Sequence, residues 1–274
     1  MRALHRARRT VVAALCVACI PLIRADAQHH RTITFPDSIY RGLGGAFVMY
    51  DRNADLLTEY HPADCRKRLT PASTFKILNS LIGLETGVIR DEHYVIPWDS
   101  TVYRDFPAWN RDHDLASAIA NSVVWYYQEL ARRVGRKRMT ALIDSTGYGN
   151  SDASGPIDRF WLGSTLLISP EEQVGFLRRL YDGSVPFSRR SVEIVKRILV
   201  LDESDAHVLR GKTGFSGDRS GLTVGWFVGY MEKGGDVFFF ACNMTSPDAG
   251  RDAGRIVRER KDAALRILAA LGAL

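Results

Sequence analysis

Long apolar runs, cysteines and metal-ligand spacings are what this 274-residue sequence has least of, and each shortage removes a class of protein. The extended apolar run at residues 11–23 falls short of the roughly 20 residues a helix needs to span a bilayer, so a retained membrane anchor is disfavoured. Two of the four cysteines, Cys16 and Cys19, sit inside that run. Cys65 and Cys242 remain, too few for a disulfide scaffold, and the sequence leaves open whether they pair or stay as two buried thiols. The seven histidines show no His-x-x-x-His spacing, and no paired-cysteine spacing occurs outside the apolar run, so no metal is expected. No glycine-rich phosphate loop follows a strand pattern, which disfavours a nucleotide cofactor.

Positive charge is concentrated at the start. Arg2, Arg6, Arg8 and Arg9 precede the apolar run, and small residues follow it at Ala25 and Ala27, the pattern of a cleaved export signal covering residues 1–27. Removing that segment takes away five arginines and Asp26, leaving 32 basic and 30 acidic residues, so the net charge falls from +6 to +2. The remaining balance gives no argument for nucleic acid or for stable membrane association as a partner. A periplasmic location follows from this reading.

Residues 28–274 are long enough to bury a sizeable core. "GGAFVMYD" (44–51) and "DLLTEYH" (55–61) read as a strand hairpin. From Ser73 to Gly87 apolar residues surround a helix on nearly all sides, which predicts burial. Helical patterns dominate the middle, including "DLASAIANSVVWYYQELARRVG" and "SPEEQVGFLRRLYDG", the second opening on a capping box at Ser169, Pro170 and Glu172. Strands return at 207–214, 223–232 and 236–244, the last two joined by "KGG", and a basic amphipathic helix from Asp252 to about Leu271 closes the chain. The order implies an α+β fold. An antiparallel sheet flanked by helices is built from about 28–95 and 182–274, with a mainly helical insertion over about 96–181.

Within the buried helix, Ser73 and Lys76 are three residues apart and therefore share one side, one turn apart. A serine hydroxyl is a poor nucleophile until a base takes its proton, and apolar neighbours Phe75, Leu78 and Leu81 favour the uncharged lysine that can serve as that base. Alone the pair is a weak signal. It gains weight from "KTG" at 212–214, which accompanies Ser-x-x-Lys in penicillin-recognising serine enzymes, although Ser-Asp-Asn is missing.

"PASTFKILNSLIGLETGVIRDEH", "NSVVWYYQELARRVG", "YGN" at 148–150, "FWLGSTLLISPEEQV" and "GKTGFSGDRSGLTVGWFVGYME" together resemble class D β-lactamases, the oxacillinase type. The resemblance implies a serine β-lactamase or penicillin-binding-protein-like fold and hydrolysis of penicillin-type β-lactams, conferring resistance to them. It implies Ser73 as the acylated nucleophile and Lys76, carbamylated by CO2, as the base, with no other cofactor. Ser122-Val123-Val124 stands where the family carries Ser-x-Val, and Ser122 with Lys212 would relay a proton to the leaving nitrogen. Trp161 would hold the carbamate while Val124 keeps it dry. The amides of Ser73 and Phe215 would form an oxyanion hole beside Gly214, and Thr213 with Arg255 would bind the substrate carboxylate, although Arg251 and Arg258 are also candidates. Two other classes share these motifs, a penicillin-sensing receptor domain that stays acylated and a penicillin-binding cell-wall peptidase.

Overall fold

A computed structural model describes residues 29–34, 38–217 and 220–274; the expected export signal lies outside the described residues. The chain enters at β1 (His29–Thr32), then forms the predicted hairpin β2 (Gly44–Asp51) and β3 (Leu56–Tyr60), followed by the one-turn α1 (Pro62–Cys65). A 3-10 turn at Ala72–Phe75 leads into α2 (Lys76–Glu85), whose residues from Lys76 to Leu84 are all buried. Three further helices follow, α3 (Leu115–Ala120), α4 (Val124–Val134) and α5 (Arg136–Thr146); α4 and α5 pack on α2 and on each other, and α3 packs on α4. Next come α6 (Pro170–Asp182), α7 (Arg189–Ile198) and the edge strand β4 (Val200–Glu203). The chain ends with β5 (His207–Gly217), β6 (Thr223–Lys233), β7 (Asp236–Ser246) and α8 (Ala249–Ala270).

Among the described residues seven strands form one sheet in the order β1-β3-β2-β7-β6-β5-β4. All neighbours are antiparallel except β1 and β3, which run parallel. The edge strands β1 and β4 were not legible because both are short and largely exposed, without the alternation of a half-buried strand. The turn between β6 and β7 is the two-residue Gly234-Gly235, with φ of 59° and 92°, and a primed hairpin turn needs positive φ at both positions.

Alternate residues of each central strand face opposite layers. Val48, Tyr50, Trp226, Val228 and Phe239 join the apolar cluster on the side of α2 and α6. Phe47, Met49, Phe227, Phe240 and Cys242 join a second cluster closed by α8 through Ile256, Ala263, Ala264 and Ile267. The capping box on α6 is formed as the sequence predicts: Glu172 N donates to Ser169 Oγ at 3.2 Å and Ser169 N donates to Glu172 Oε2 at 2.9 Å. The same Glu172 accepts from Arg68 Nε at 2.9 Å, and Leu69 pairs with Ile168 through two backbone bonds. The start of α6 therefore braces the segment that runs into Ser73.

One expectation changes. The pattern from Asp114 to Gly135 is two helices, not one, because Ser122 takes a left-handed conformation at φ 53° between α3 and α4. Asn121 and Ser122 compete for backbone partners and the β-branched Val123 and Val124 follow, so a helix interior is poorly supported there. Asn121 Nδ2 donates back to the Ser117 carbonyl at 2.9 Å and closes α3.

The cysteine question is resolved in favour of separate thiols. Cys65 and Cys242 are both free and buried, Cys65 in the cluster under the helices and Cys242 in the cluster under α8. Burial pushes both thiols up to about 12. A thiol reagent that attacks thiolates should therefore find neither cysteine in the folded chain lacking residues 1–27, and two equivalents after denaturation. Rapid labelling of the native protein at pH 8 would contradict this packing.

Candidate active site

Three segments meet at the free edge of β5. Strand β4 covers β5 only at Val208–Arg210, so from Lys212 onward that edge faces the turn at Ala72–Phe75 instead of another strand. The approach is close at Gly214, where an added Cβ would lie 3.0 Å from the Pro71 carbonyl and 3.1 Å from Thr74 Cγ2. The third segment is the break at Ser122, which turns its side chain and carbonyl toward α2.

At the meeting point lies Lys76, fully buried. Its Nζ sits 3.0 Å from Ser73 Oγ, 2.9 Å from Ser122 Oγ and 2.6 Å from the Ser122 carbonyl oxygen. Tyr127 places its ring centroid 5.4 Å away, and no carboxylate pairs with this lysine among the described residues. Burial, reinforced by repulsion from Lys212, holds the Lys76 amine well below its ordinary value. A neutral amine has two N–H donors and one lone pair. The Ser122 carbonyl can only accept, so one of the two hydroxyls is left to donate to nitrogen, which is the arrangement that activates a serine.

Backbone contacts fix this geometry. The Trp161 carbonyl accepts from Ala72 N at 3.0 Å and from Thr70 Oγ1 at 3.1 Å. Ala72 itself adopts a left-handed φ of 50°, directly before Ser73. The indole of Trp161 is buried against Phe75, ring centroids 5.3 Å apart, and its Nε1 has no hydrogen-bond partner. Leaving such a donor unpaired costs roughly 1–3 kcal/mol, so the indole is suited to donate to an acceptor placed beside it. "YGN" acts as support: Asn150 accepts from Leu167 N at 2.9 Å and donates to the Thr165 carbonyl at 2.9 Å, tying down the loop after Trp161. Tyr148 reaches Gln173, which donates to Thr74 Oγ1 at 2.8 Å.

A cavity of about 270 Å³ opens above Ser73, bounded by Ser122, Val124, Thr213, Gly214 and Phe215. Lys212 is buried beneath it and donates to the Thr213 carbonyl at 3.0 Å; burial, with Arg260 adding to it, lowers its amine to about 7. Phe106 and Trp109, stacked at 4.3 Å, form an aromatic wall on the outer side.

The arginine is placed differently from the expectation. Arg255 does not line this cavity; its Nη2 lies 3.8 Å from Asp252 Oδ1, and Asp252 is also held by Arg251 at 2.8 Å. The guanidinium on the cavity wall is Arg260, whose Nε and Nη1 are buried without partners and whose burial lowers it to about 10. The signal was available: Arg260 falls four residues after Ile256 and three before Ala263, on the buried stripe of α8. Counting that stripe from Ile256 separates it from Arg251, Arg255 and Arg258, which lie off that face.

The chain is similar to known proteins over most of its length. The family described as the penicillin binding protein transpeptidase domain matches residues 44–262. The Bacillus subtilis protein named "Probable beta-lactamase YbxI" is 42% identical over 220 residues, 80% of each chain. Among solved structures, the class D β-lactamase YbXI from Nostoc is 40% identical with a TM-score of 0.80, covering 87% of this chain and 98% of that one. The C-terminal domain of the BlaR penicillin receptor of Bacillus licheniformis is 34% identical with a TM-score of 0.82, covering 90% and 98%. Matches of this extent and identity settle the family: the chain belongs to the penicillin-binding-protein transpeptidase group and, within it, to the class D serine β-lactamases.

Proposed function

We propose that the protein opens penicillin-type β-lactams through an ester on Ser73, with Lys76 carbamylated, and so confers resistance to them. The observation that carries this reading is the buried, uncompensated Lys76 amine 3.0 Å from Ser73 Oγ, with an orphaned Trp161 Nε1 donor in the same apolar surround. An amine reacts with CO2 only when uncharged, forming an N–C bond and releasing one proton, and burial supplies the uncharged form. Trp161 Nε1 and Ser122 Oγ are the donors suited to hold the resulting anion, and Val124 shields it. When present, the carbamate supplies an anionic base for the Ser73 hydroxyl and later for the hydrolytic water.

Ser73 Oγ then attacks the lactam carbonyl, and the C–N bond breaks as the ester forms. The oxygen charge that develops faces the amides of Ser73 and Phe215, at the start of a helical turn and on the free edge of β5. Ser122 and Lys212 deliver a proton to the departing nitrogen; an amine lowered to about 7 can both give and take a proton near neutrality. Thr213 and Arg260 bind the substrate carboxylate, a charge-assisted contact that uses the unpaired guanidinium donors. Water finally cleaves the ester, and Ser73 regains its proton. Residues 1–27 serve as the export signal and the periplasm as the place of action.

A second reading, a sensor that remains acylated, is favoured by the likeness to the BlaR penicillin-receptor domain. A stopped-flow trace with a chromogenic cephalosporin separates the two: sustained turnover strengthened by bicarbonate supports the enzyme, and a burst of about one equivalent followed by silence supports the sensor.

Lys76→Ala should abolish turnover, and near-normal hydrolysis by that variant would sink the carbamate mechanism. Trp161→Ala should leave part of the acylation rate but slow deacylation, with the defect relieved by added bicarbonate; deacylation unchanged in bicarbonate-free buffer counts against the role of the indole. Lys212→Met should lose activity yet melt higher at neutral pH. The unfolded lysine takes up a proton near pH 10.4 and the folded one only near 7, so the parent loses stability as pH falls across that window and the variant does not. Thermal melts at pH 7 and pH 10 check the sign: the advantage of Lys212→Met must shrink at the higher pH.

A further inference from the structure

His113 is buried, hydrogen-bonded on both ring nitrogens and unused by the chemistry above. Its Nε2 lies 2.9 Å from the Ala108 carbonyl and its Nδ1 3.0 Å from Ser117 Oγ on α3. A carbonyl can only accept, so the proton sits on Nε2, and the neutral ring accepts from the Ser117 hydroxyl at Nδ1. The ring therefore joins α3 to the loop that precedes it. Ala108 stands in that loop between Phe106 and Trp109, the stacked pair on the wall of the cavity above Ser73. Phe106 is 53% exposed, so burial contributes little to holding it in place.

Backbone bonds do that work instead. Trp109 Nε1 donates to the Asn121 carbonyl at 3.0 Å, and the Trp109 carbonyl accepts from Trp125 Nε1 at 2.9 Å. Asn110 closes the loop tip on Tyr103, accepting from its N at 2.8 Å and donating to its carbonyl at 3.2 Å. His113 supplies the support on the Ala108 side. Burial holds its ring below the ordinary value, with Arg111 adding to the effect, while the Ala108 bond, Asp114 and Asp112 oppose it. Asp114 is occupied elsewhere, accepting from Ser117 N at 2.8 Å and lying 3.7 Å from His93 Nδ1. Trp125, with its ring 5.9 Å away on α4, and Ile96, whose N bonds the His113 carbonyl, bring no charge. A second proton on the ring would force the Ser117 hydroxyl round to the Asp114 carbonyl, 3.2 Å away, and leave a buried cation without a bonded carboxylate.

We infer that His113 is a positioning residue: its neutral ring holds the Ala108 carbonyl and so keeps Phe106 and Trp109 at the cavity wall, where losing the bond weakens substrate binding and spares the chemistry at Ser73. The kinetic part of this inference rests on the function proposed above. Phe106 and Trp109 face the cavity, whereas Ser122 is held to Lys76 by two bonds of its own. Loss of the wall therefore falls on KM and not on kcat.

The test follows hydrolysis of a penicillin with an aromatic acyl group, with bicarbonate in excess throughout. His113→Phe keeps the ring volume and loses the bond, and should raise KM roughly tenfold at pH 7.5 with kcat within about threefold. His113→Gln can donate to the same carbonyl and does not titrate, and should restore KM to within about twofold of the parent. Between pH 7.5 and pH 5 KM should climb in the parent and stay level in His113→Gln, because only the parent ring takes up a proton. Acrylamide quenching of tryptophan fluorescence reads the wall without substrate: the parent at pH 5 and His113→Phe should be quenched more than the parent at pH 7.5, a difference that Trp109→Phe removes. Losses shared equally by kcat and KM, no rescue by His113→Gln, or parallel pH profiles overturn the inference. Should His113→Phe not fold, the pH profiles of the parent and His113→Gln decide. A parent protein that does not hydrolyse the penicillin overturns the acyl-enzyme reading instead, and the quenching alone then supports or overturns the hold of His113 on the wall.

Discussion

An amine buried without a counter-charge is the constraint around which this molecule is organised. A lysine at the centre of a domain costs stability in either protonation state, as a desolvated ammonium or as an amine held far from its ordinary titration range. Here Lys76 is accompanied by Lys212 and Arg260, so three basic groups converge on one cleft with no carboxylate among its lining residues. Such a cluster of basic groups favours anions in the cleft. On the function proposed above, those anions would be a substrate carboxylate and a lysine-bound carbamate.

Holding that arrangement requires a backbone that also departs from its preferred shapes. Ala72 and Ser122 both lie in the left-handed region, each at a cost on the order of 1 kcal/mol, and they sit beside the two hydroxyls that reach Lys76. The surroundings leave neither residue an alternative. The carbonyl of Trp161 anchors Ala72, the loop after Trp161 is fixed by Asn150, and the cap of α6 braces the preceding segment. At the site two left-handed residues, orphaned donors and lowered amines lie close together.

Much of this was legible in the chain. Period-2 runs marked β2, β3, β6 and β7, "KGG" marked their turn, and an apolar surround marked α2 as buried. Ser73 and Lys76 are one helical turn apart, so local spacing alone brings them together. What stayed hidden depends on tertiary contact. The break at Ser122 looks helical on both sides; its poor helix formers permit it, and the contact with Lys76 shows its use. Edge strands β1 and β4 carry no alternation because one or both of their faces meet solvent. Arg260 stands among several arginines on α8, and only its place on the buried stripe distinguishes it.

The sheet order places β2 against β7, so the first long strand of the chain has as its inner neighbour the last one made. Until residue 246 has emerged, β2 and β3 remain a hairpin with one unsatisfied edge, and until residue 260 follows, the cleft lacks its guanidinium. A growing chain that already contains Ser73, Lys76, Ser122 and Lys212 therefore still lacks the strand and the guanidinium that complete the cleft around them. Completion comes as a late, long-range event, since strands distant in sequence must pair before the cleft closes.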